Sequence, residues 1–123
     1  MTTARTARGR QTEQLAADWY VAHGWVRAER IAASLPGRDI KGMPRLAPEI
    51  KARADFSPLA WTRQAVKNAG NDIPFVVMRC NGQGEQQIGE WLVIRPLFHD
   101  TAILQMAGFA GELVQDEACE EWL

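Results

Sequence analysis

Two short segments of the chain carry the residue types that could perform hydrolytic chemistry. Residues 37–42 read Gly-Arg-Asp-Ile-Lys-Gly and contain Asp39. Residues 48–51 read Pro-Glu-Ile-Lys and contain Glu49 and Lys51. Carboxylates can hold a divalent cation, and an amine can stabilise negative charge on a phosphate. The chemical interpretation therefore depends on whether the fold brings these three groups together.

Strand geometry favours such a cluster. Side chains alternate across a β-strand, so Glu49 and Lys51 would share one face while Ile50 enters the core on the other. Asp39 ends the preceding predicted strand, and residues 41–44 supply a chain reversal. A hairpin formed there would place Asp39 beside Glu49.

Two neighbouring carboxylates repel each other unless a cation lies between them. Oxygen ligands that leave positions open for water and phosphate suit Mg²⁺ or Mn²⁺. Such an ion offsets the charge that grows on a phosphate during hydrolysis, and Lys51 could stabilise the same charge as a compact cation. The alternative is a surface hairpin whose acids pair with neighbouring Lys and Arg residues.

The elements that must position these residues follow from periodicity and from helix-start and turn signals. The apolar run at 74–80 is typical of a central buried strand. Ser57 and Pro58 form a helix-start signal. The predicted order is α-β-β-β-α-β-β-α, an α/β (α+β) mixed sheet flanked by helices. The sequence predicts helices over residues 9–23, 58–69 and 101–109, and strands over 25–31, 39–40, 46–53, 74–80 and 90–96.

Length and composition suit one domain. The chain has 123 residues, of which 46% are hydrophobic, and no stretch approaches the ~18 apolar residues of a membrane helix. Residues 1–67 hold twelve Lys and Arg against six acids, whereas residues 68–123 hold two against nine. We divide the chain into a flexible basic arm (1–8), a domain (9–110) and an acidic tail (111–123). With only two cysteines and no leader-like segment, a reducing, cytoplasmic setting is expected.

The segments 37–42 and 48–51, in this order along the chain, resemble the PD-(D/E)XK nuclease superfamily. In that superfamily an Asp after one strand and a Glu-x-Lys on the next form a metal site. The chain is more closely similar to small Holliday junction resolvase-like nucleases of actinobacterial phages and prophages. That similarity includes the segment 37–42, Glu-Ile-Lys at 49–51, Leu-Ala-Trp at 59–61 and Glu-Trp-Leu-Val at 90–93. It covers residues 9–107. The chain departs from the superfamily pattern in having Arg38, not Pro, before Asp39.

The resemblance implies a restriction-endonuclease-like fold with the core order α-β-β-β-α-β and a role for each residue. Asp39, Glu49 and the backbone carbonyl of Ile50 would hold Mg²⁺ or Mn²⁺, and Lys51 would be the catalytic cation. Glu13 matches an acid on the first helix that contributes to the site, although a solvated helical acid is the alternative. Gln64 matches a polar residue on the second helix, with a solvated glutamine as the alternative.

The implied activity is metal-dependent endonucleolytic hydrolysis of DNA, structure-selective in the manner of a Holliday junction resolvase. The alternative is a non-catalytic DNA- or protein-binding module of the same fold. Paired cuts in a symmetric junction would need two sites, hence a homodimer. The expected location is the cytoplasm of a bacterium or phage-infected cell. Candidate phosphate contacts, with a solvated surface as the alternative, are Arg8, Arg10, Arg38, Lys41, Arg45, Arg53, Arg63 and Lys67.

Overall fold

A computed structural model describes residues 4–31, 37–52 and 55–110 of the chain. These residues form three helices, five strands and one 3₁₀ helix, which confirms the mixed α/β class. The helices are α1 (Ala4–Ala22), α2 (Pro58–Ala69) and α3 (Leu97–Met106). The strands are β1 (Glu29–Arg30), β2 (Ile40–Lys41), β3 (Leu46–Lys51), β4 (Ile73–Met78) and β5 (Leu92–Ile94), and the 3₁₀ helix spans Glu85–Glu90.

The strands form two small sheets. β1 and β2 pair antiparallel, while the second sheet has the order β3-β4-β5. β4 is central, pairing in parallel with β3 and antiparallel with β5. A parallel pair needs a crossover connection, and α2 supplies it between β3 and β4. The carboxyl-terminal ends of β3 and β4 therefore lie side by side at the same end of the sheet, with Lys51 opposite Met78.

Apolar side chains pack on both faces of the larger sheet. On the α1 face, Ala16 and Ala17 pack with Ile50, Phe75 and Val77. On the α2 face, Trp61 and Ala65 pack with Val76 and Met78. The continuous apolar run predicted as a central strand is explained by this arrangement, because alternate residues of β4 fill two different clusters.

Helix α2 has the predicted bounds. Pro58 occupies the start of the helix, where its missing N–H costs no hydrogen bond. The carbonyl of Ser57 accepts the N–H of Trp61 at 3.0 Å. Gly70 ends the helix with a φ of 59°, in the left-handed region that glycine adopts readily.

Several predicted bounds at the two ends of the chain were wrong. α1 begins at Ala4, not residue 9, so residues 4–8 of the predicted basic arm are helical. The strand predicted over 25–31 is reduced to β1, because Trp25 donates back to the carbonyl of Tyr20 and closes a turn. α3 begins four residues earlier than predicted, directly after Pro96. β5 is shorter than predicted because Glu90 belongs to the 3₁₀ helix.

The predicted hairpin between the Asp39 segment and β3 was also wrong. No ladder joins β2 to β3 within the described ranges, and a turn with Arg45 at a φ of 69° connects them. β3 ends at Lys51, so the predicted extension through Arg53 does not occur in the described part, and Arg53 itself lies outside it. Residues 1–3 of the predicted arm and the predicted acidic tail at 111–123 also lie outside the described residues.

The described helices include none that is both long enough and apolar enough to cross a bilayer.

Candidate functional site

The site forms on the edge of β3 that faces away from β4. The carbonyl of Lys51 accepts the N–H of Arg79 at 2.9 Å, and the carbonyl of Arg45 accepts that of Ile73 at 2.8 Å. In a parallel ladder alternate residues bond to a given neighbour. The N–H and C=O of Ile50 therefore point to the opposite edge, where β3 has no strand partner in the described sheet.

Asp39 occupies that edge through its side chain. Its Oδ2 accepts the N–H of Ile50 at 2.7 Å. Its backbone is held as well, because the carbonyl of Asp39 accepts the N–H of Ile31 at 2.8 Å beside the β1–β2 ladder. The carboxylate is thus fixed next to Glu49. The side-chain contact achieves the proximity that the sequence predicted through a hairpin.

Arg38 covers the other end of the same edge. Its Nη1 donates to the carbonyl of Leu46 at 3.2 Å and lies 2.5 Å from Oδ2 of Asp72. Its Nη2 donates to the carbonyl of Ala69 at the end of α2. Arg38 was a candidate phosphate contact, but the structure gives its guanidinium three acceptors within the protein. These bonds tie β3, α2 and the Asp39 segment together.

Glu49 and Lys51 point to one face of β3, towards α2, as the strand alternation predicted. Nζ of Lys51 lies 3.1 Å from Oε1 of Gln64, and Nδ2 of Asn68 lies 3.4 Å from Oε1 of Glu49. Ile50 is buried on the opposite face in the α1-side cluster. Gln64 and Asn68 are one helical turn apart, so α2 presents both to the end of β3.

The carboxyl groups of Asp39, Glu49 and Glu13 lie in surroundings that disfavour their charged forms. Burial and the charge of the neighbouring Asp39 together raise the pKa of Glu49 to about 7, against the opposing effect of Lys51. Burial also raises the pKa of Asp39, while the bond from the Ile50 N–H opposes the rise. Only 4% of Glu49 is exposed. The site is therefore a pocket of poorly compensated negative charge.

Glu13 approaches the same charges from α1. Burial raises the pKa of Glu13, and the charge of Asp39 adds to the rise. Nε of Arg30 donates to Oε2 of Glu13 at 3.0 Å. The structure therefore brings Glu13 into electrostatic contact with Asp39 and pairs it with Arg30 of β1.

The middle of α1 is anchored beside Glu13 by the buried side chain of Arg79. Nη1 of Arg79 lies 3.1 Å from Oε1 of Gln11 and 3.1 Å from Oγ1 of Thr12. Its Nε donates to the carbonyl of Gln83 at 2.8 Å. Since Glu13 follows Thr12, this anchor fixes the part of α1 that carries the third carboxylate.

The donor set fits a hard divalent cation. Among the described residues there is no group of three or more His, Cys, Asp or Glu side chains that could hold a metal ion. Mg²⁺, however, usually takes one or two carboxylates and completes its shell with water and substrate phosphate. Asp39, Glu49 and the carbonyl of Ile50 offer oxygen donors on one edge of β3. Burial raises the pKa of both acids although Lys51 opposes the rise, so a divalent ion bound there would offset the cost of their charged forms.

The remaining candidate phosphate contacts lie outside this cluster. Lys41 is exposed and lies 3.7 Å from the carboxylate of Glu29, while Arg45 is exposed in the turn before β3. Arg63 and Lys67 are exposed on α2. On α1, Arg10 is exposed and Arg8 is half-buried. Most of these cations therefore face solvent around the elements that build the site.

Sequence reasoning missed three residues that organise the site: Arg30, Asn68 and Arg79. Asn68 carried a usable signal, because it lies four positions after Gln64 on the same helix face. Arg30 and Arg79 carried none, since their partners are 17 and 67–68 positions away.

Comparison of the chain with protein-family models, with curated proteins and with solved structures finds no match.

Proposed function

We propose that this protein is a divalent-metal-dependent endonuclease that hydrolyses DNA phosphodiester bonds, with a restriction-endonuclease-like site. One observation carries the proposal. Asp39 lies against the backbone of Ile50, so its carboxylate is fixed beside Glu49 and Lys51 at the end of β3. An acid from a separate segment is thereby added to a Glu-x-Lys strand, which is the constellation expected from the sequence.

Asp39, Glu49 and the Ile50 carbonyl would hold Mg²⁺ or Mn²⁺. When bound, the ion would supply Lewis acidity towards a phosphoryl oxygen and neutralise part of its charge. The protein contributes a buried, preformed pair of carboxylates whose mutual repulsion favours a cation. Glu13, held by Arg30, is the third acid close enough to act on their charge.

Lys51 would stabilise the phosphate as negative charge develops during hydrolysis. Its ammonium donates to the amide oxygen of Gln64, and among the described residues it forms no ion pair with a carboxylate at 4 Å or less. A neutral partner orients the ammonium and leaves its positive charge available for a phosphate. Gln64 is thus a positioning residue for Lys51.

The order of elements and the surface cations support a DNA substrate. Helix, three strands, helix and strand follow one another along the chain in the sequential order that the superfamily resemblance implies, although β1 and β2 form a separate sheet from β3. Exposed Arg and Lys residues on α1, on α2 and before β3 could contact a DNA backbone without reading sequence. A four-way junction is the substrate class we favour, and paired cuts in it would use two copies of the site.

The direct test is cleavage of a labelled four-way junction and of a linear duplex, each with Mg²⁺ and with chelator. Cleavage is expected only with the metal and more rapidly on the junction. Lys51→Ala and Asp39→Asn should each lower the rate by about 100-fold or more, the usual cost of losing a transition-state stabilising group.

Lys67→Ala is the matched control for Lys51→Ala, since it removes an exposed lysine of α2 that lies outside the cluster of Asp39, Glu49 and Lys51. It should weaken binding slightly and leave the rate at saturating enzyme unchanged. Unchanged cutting by both site variants would refute the proposal. Junction binding without cleavage under any metal would favour the non-catalytic binding module instead.

A further inference from the structure

Helix α3 is rich in apolar residues but is exposed to solvent. The structure describes all ten of its residues, Leu-Phe-His-Asp-Thr-Ala-Ile-Leu-Gln-Met, and none of them is buried. Apolar side chains are spread around the helix rather than along one stripe. A helix that is apolar on all sides is normally buried. α3 therefore exposes an apolar surface that requires a partner.

An apolar groove begins where α3 begins. It has a volume of about 470 Å³ and lies between α2 and β5. Leu59 and Val66 of α2 line one wall, and Ile94 and Pro96 line the other. Since Leu97 is the first residue of α3, the groove and the helix form one continuous surface.

We infer that this surface is the interface for a second copy of the chain, with α3 of each protomer lying in the α2–β5 groove of the other. A two-fold arrangement would pair each helix with one groove and leave neither uncovered. Helix-in-groove packing of this kind uses apolar anchors spaced along the helix. Leu97 and Leu104, two turns apart, have that spacing.

Charge is complementary across the inferred interface. The groove is flanked by the guanidinium groups of Arg63 and Arg95. α3 carries one carboxylate, Asp100, and no Lys or Arg. Arg95 already lies 3.8 Å from Asp100 in the same chain. An exchanged α3 would bring a second Asp100 to the groove and place it near both arginines.

The exposed apolar area of the groove and α3 approaches that of a standard dimer interface. At on the order of 100 Å² for each large apolar side chain that is 44–81% exposed, this surface offers roughly 600 Å² per protomer. A standard interface buries about 800 Å² per partner. The side chains concerned are Leu59, Val66, Leu97, Phe98, Leu104 and Met106.

A second copy fits this surface better than the remainder of the chain does. Residues 111–123 include five acids and four large apolar residues, Leu113, Val114, Trp122 and Leu123. A second copy brings both a helix for the groove and a groove for the helix, whereas these four side chains would have to serve both surfaces. The inferred association also does not depend on the proposed nuclease activity, because it needs neither DNA nor metal.

Sedimentation equilibrium of the full chain without DNA or metal, at matched concentrations, tests the inference. The wild type should be dimeric. Phe98→Glu on α3 and Leu59→Glu in the groove should each raise the dimer dissociation constant by at least about 30-fold, as expected for an interface anchor. Both side chains are exposed in the monomer, so circular dichroism should show unchanged folding.

Val26→Glu is the matched control, because Val26 is 75% exposed in the turn after α1 and outside the patch. It should leave the dimer intact. Trp122→Glu should also leave it intact, whereas loss of the dimer in that variant would assign the groove to the C-terminal segment and overturn the inference. A monomeric wild type, or a dimer that resists both Phe98→Glu and Leu59→Glu, would overturn it as well.

Discussion

At the scale of single residues, Glu49 is the group on which the site depends most. Glu49 is 4% exposed, and within the described part of the chain its carboxyl accepts a single hydrogen bond, from Asn68, which is long at 3.4 Å. A buried carboxylate is costly unless a positive charge or short hydrogen bonds compensate it. When no metal ion is bound, protonation of the carboxylate removes this cost of burial, which explains why the pKa of Glu49 is raised to about 7.

This raised pKa predicts how stability depends on pH in chelator-containing buffer. A proton binds Glu49 more tightly in the folded protein than in the unfolded chain. The resulting stabilisation is complete below the ordinary pKa of 4.5 and is lost as the pH rises through about 7. We expect the free energy of unfolding to fall by up to about 3 kcal/mol between about pH 5 and pH 8, measured by urea denaturation.

Glu49→Gln should flatten most of that pH dependence and make the protein more stable than wild type at pH 8. Glu85→Gln is the control, since Glu85 is exposed on the 3₁₀ helix and its replacement should change nothing. Asp39 and Glu13 also have raised pKa values and contribute with the same sign. If the free energy of unfolding of Glu49→Gln depended on pH as steeply as that of wild type, the pKa of Glu49 would not be raised as described.

Residue type and strand alternation were sufficient to predict that Glu49 and Lys51 share a face of β3, whereas Asp39 reaches them through a side-chain contact with Ile50 and not through the predicted hairpin. The shared face of Glu49 and Lys51 and the buried side of Ile50 follow from local geometry alone. The partners that tune the site follow from tertiary packing instead. Arg30 meets Glu13 only because β1 lies beside α1, and no local pattern encodes that contact.

At the scale of elements, side chains replace a strand as the partner of β3. Asp39 accepts the Ile50 N–H, and Arg38 donates to the Leu46 carbonyl. A paired strand would have used these backbone groups and closed the edge. Their satisfaction by side chains leaves the Ile50 carbonyl without a neighbouring strand in the described sheet, on the edge where we propose that an ion binds.

The sequence located most elements but not every boundary, for physical reasons. α2 and β4 were predicted well, because a proline start, a glycine end and a doubly buried strand are local signals. α3 was placed late because it has no single buried face and hence no helical period to read. The mixed alternation at 25–31 resembled a strand, but the N–H of Trp25 donates to the carbonyl of Tyr20 and closes a turn. The local sequence pattern does not indicate that contact.

Gly42 is the position where the site's supporting turn tolerates least change. It has a φ of 83°, and a Cβ there would overlap the carbonyl of Arg27. Gly42→Ala should therefore combine left-handed strain of about 1–2 kcal/mol with a backbone shift that displaces Asp39. We expect a loss of about 3 kcal/mol or more in chemical denaturation, together with loss of metal-dependent cleavage.

Gly82→Ala separates these two effects. Gly82 has nearly the same φ, 86°, but nothing lies within 4 Å of the Cβ that would be added. It should cost only the left-handed strain, about 1–2 kcal/mol, and leave cleavage intact. Equal costs for the two substitutions would mean that the contact between Gly42 and Arg27 does not constrain the turn.

At the scale of the whole molecule, charge separation matters more than net charge. A net charge of −1 provides no long-range attraction to DNA. Twelve of the fourteen Lys and Arg residues nevertheless precede residue 68, whereas nine of the fifteen acids follow it. Affinity for a polyanion must therefore come from short-range contacts made by the first half of the chain.

Short-range phosphate contacts predict a measurable salt dependence for junction binding in chelator. The logarithm of the association constant should fall linearly with the logarithm of salt concentration, and each lost phosphate contact should reduce the slope by about 1. Lys41→Ala and Arg45→Ala remove exposed cations beside the Asp39 segment and should each have this effect. Arg95→Ala removes a cation from the α2–β5 groove and should leave the slope unchanged. Equal slopes for all three variants would place DNA elsewhere on the molecule, since contacts near Asp39 must release counterions when DNA binds there.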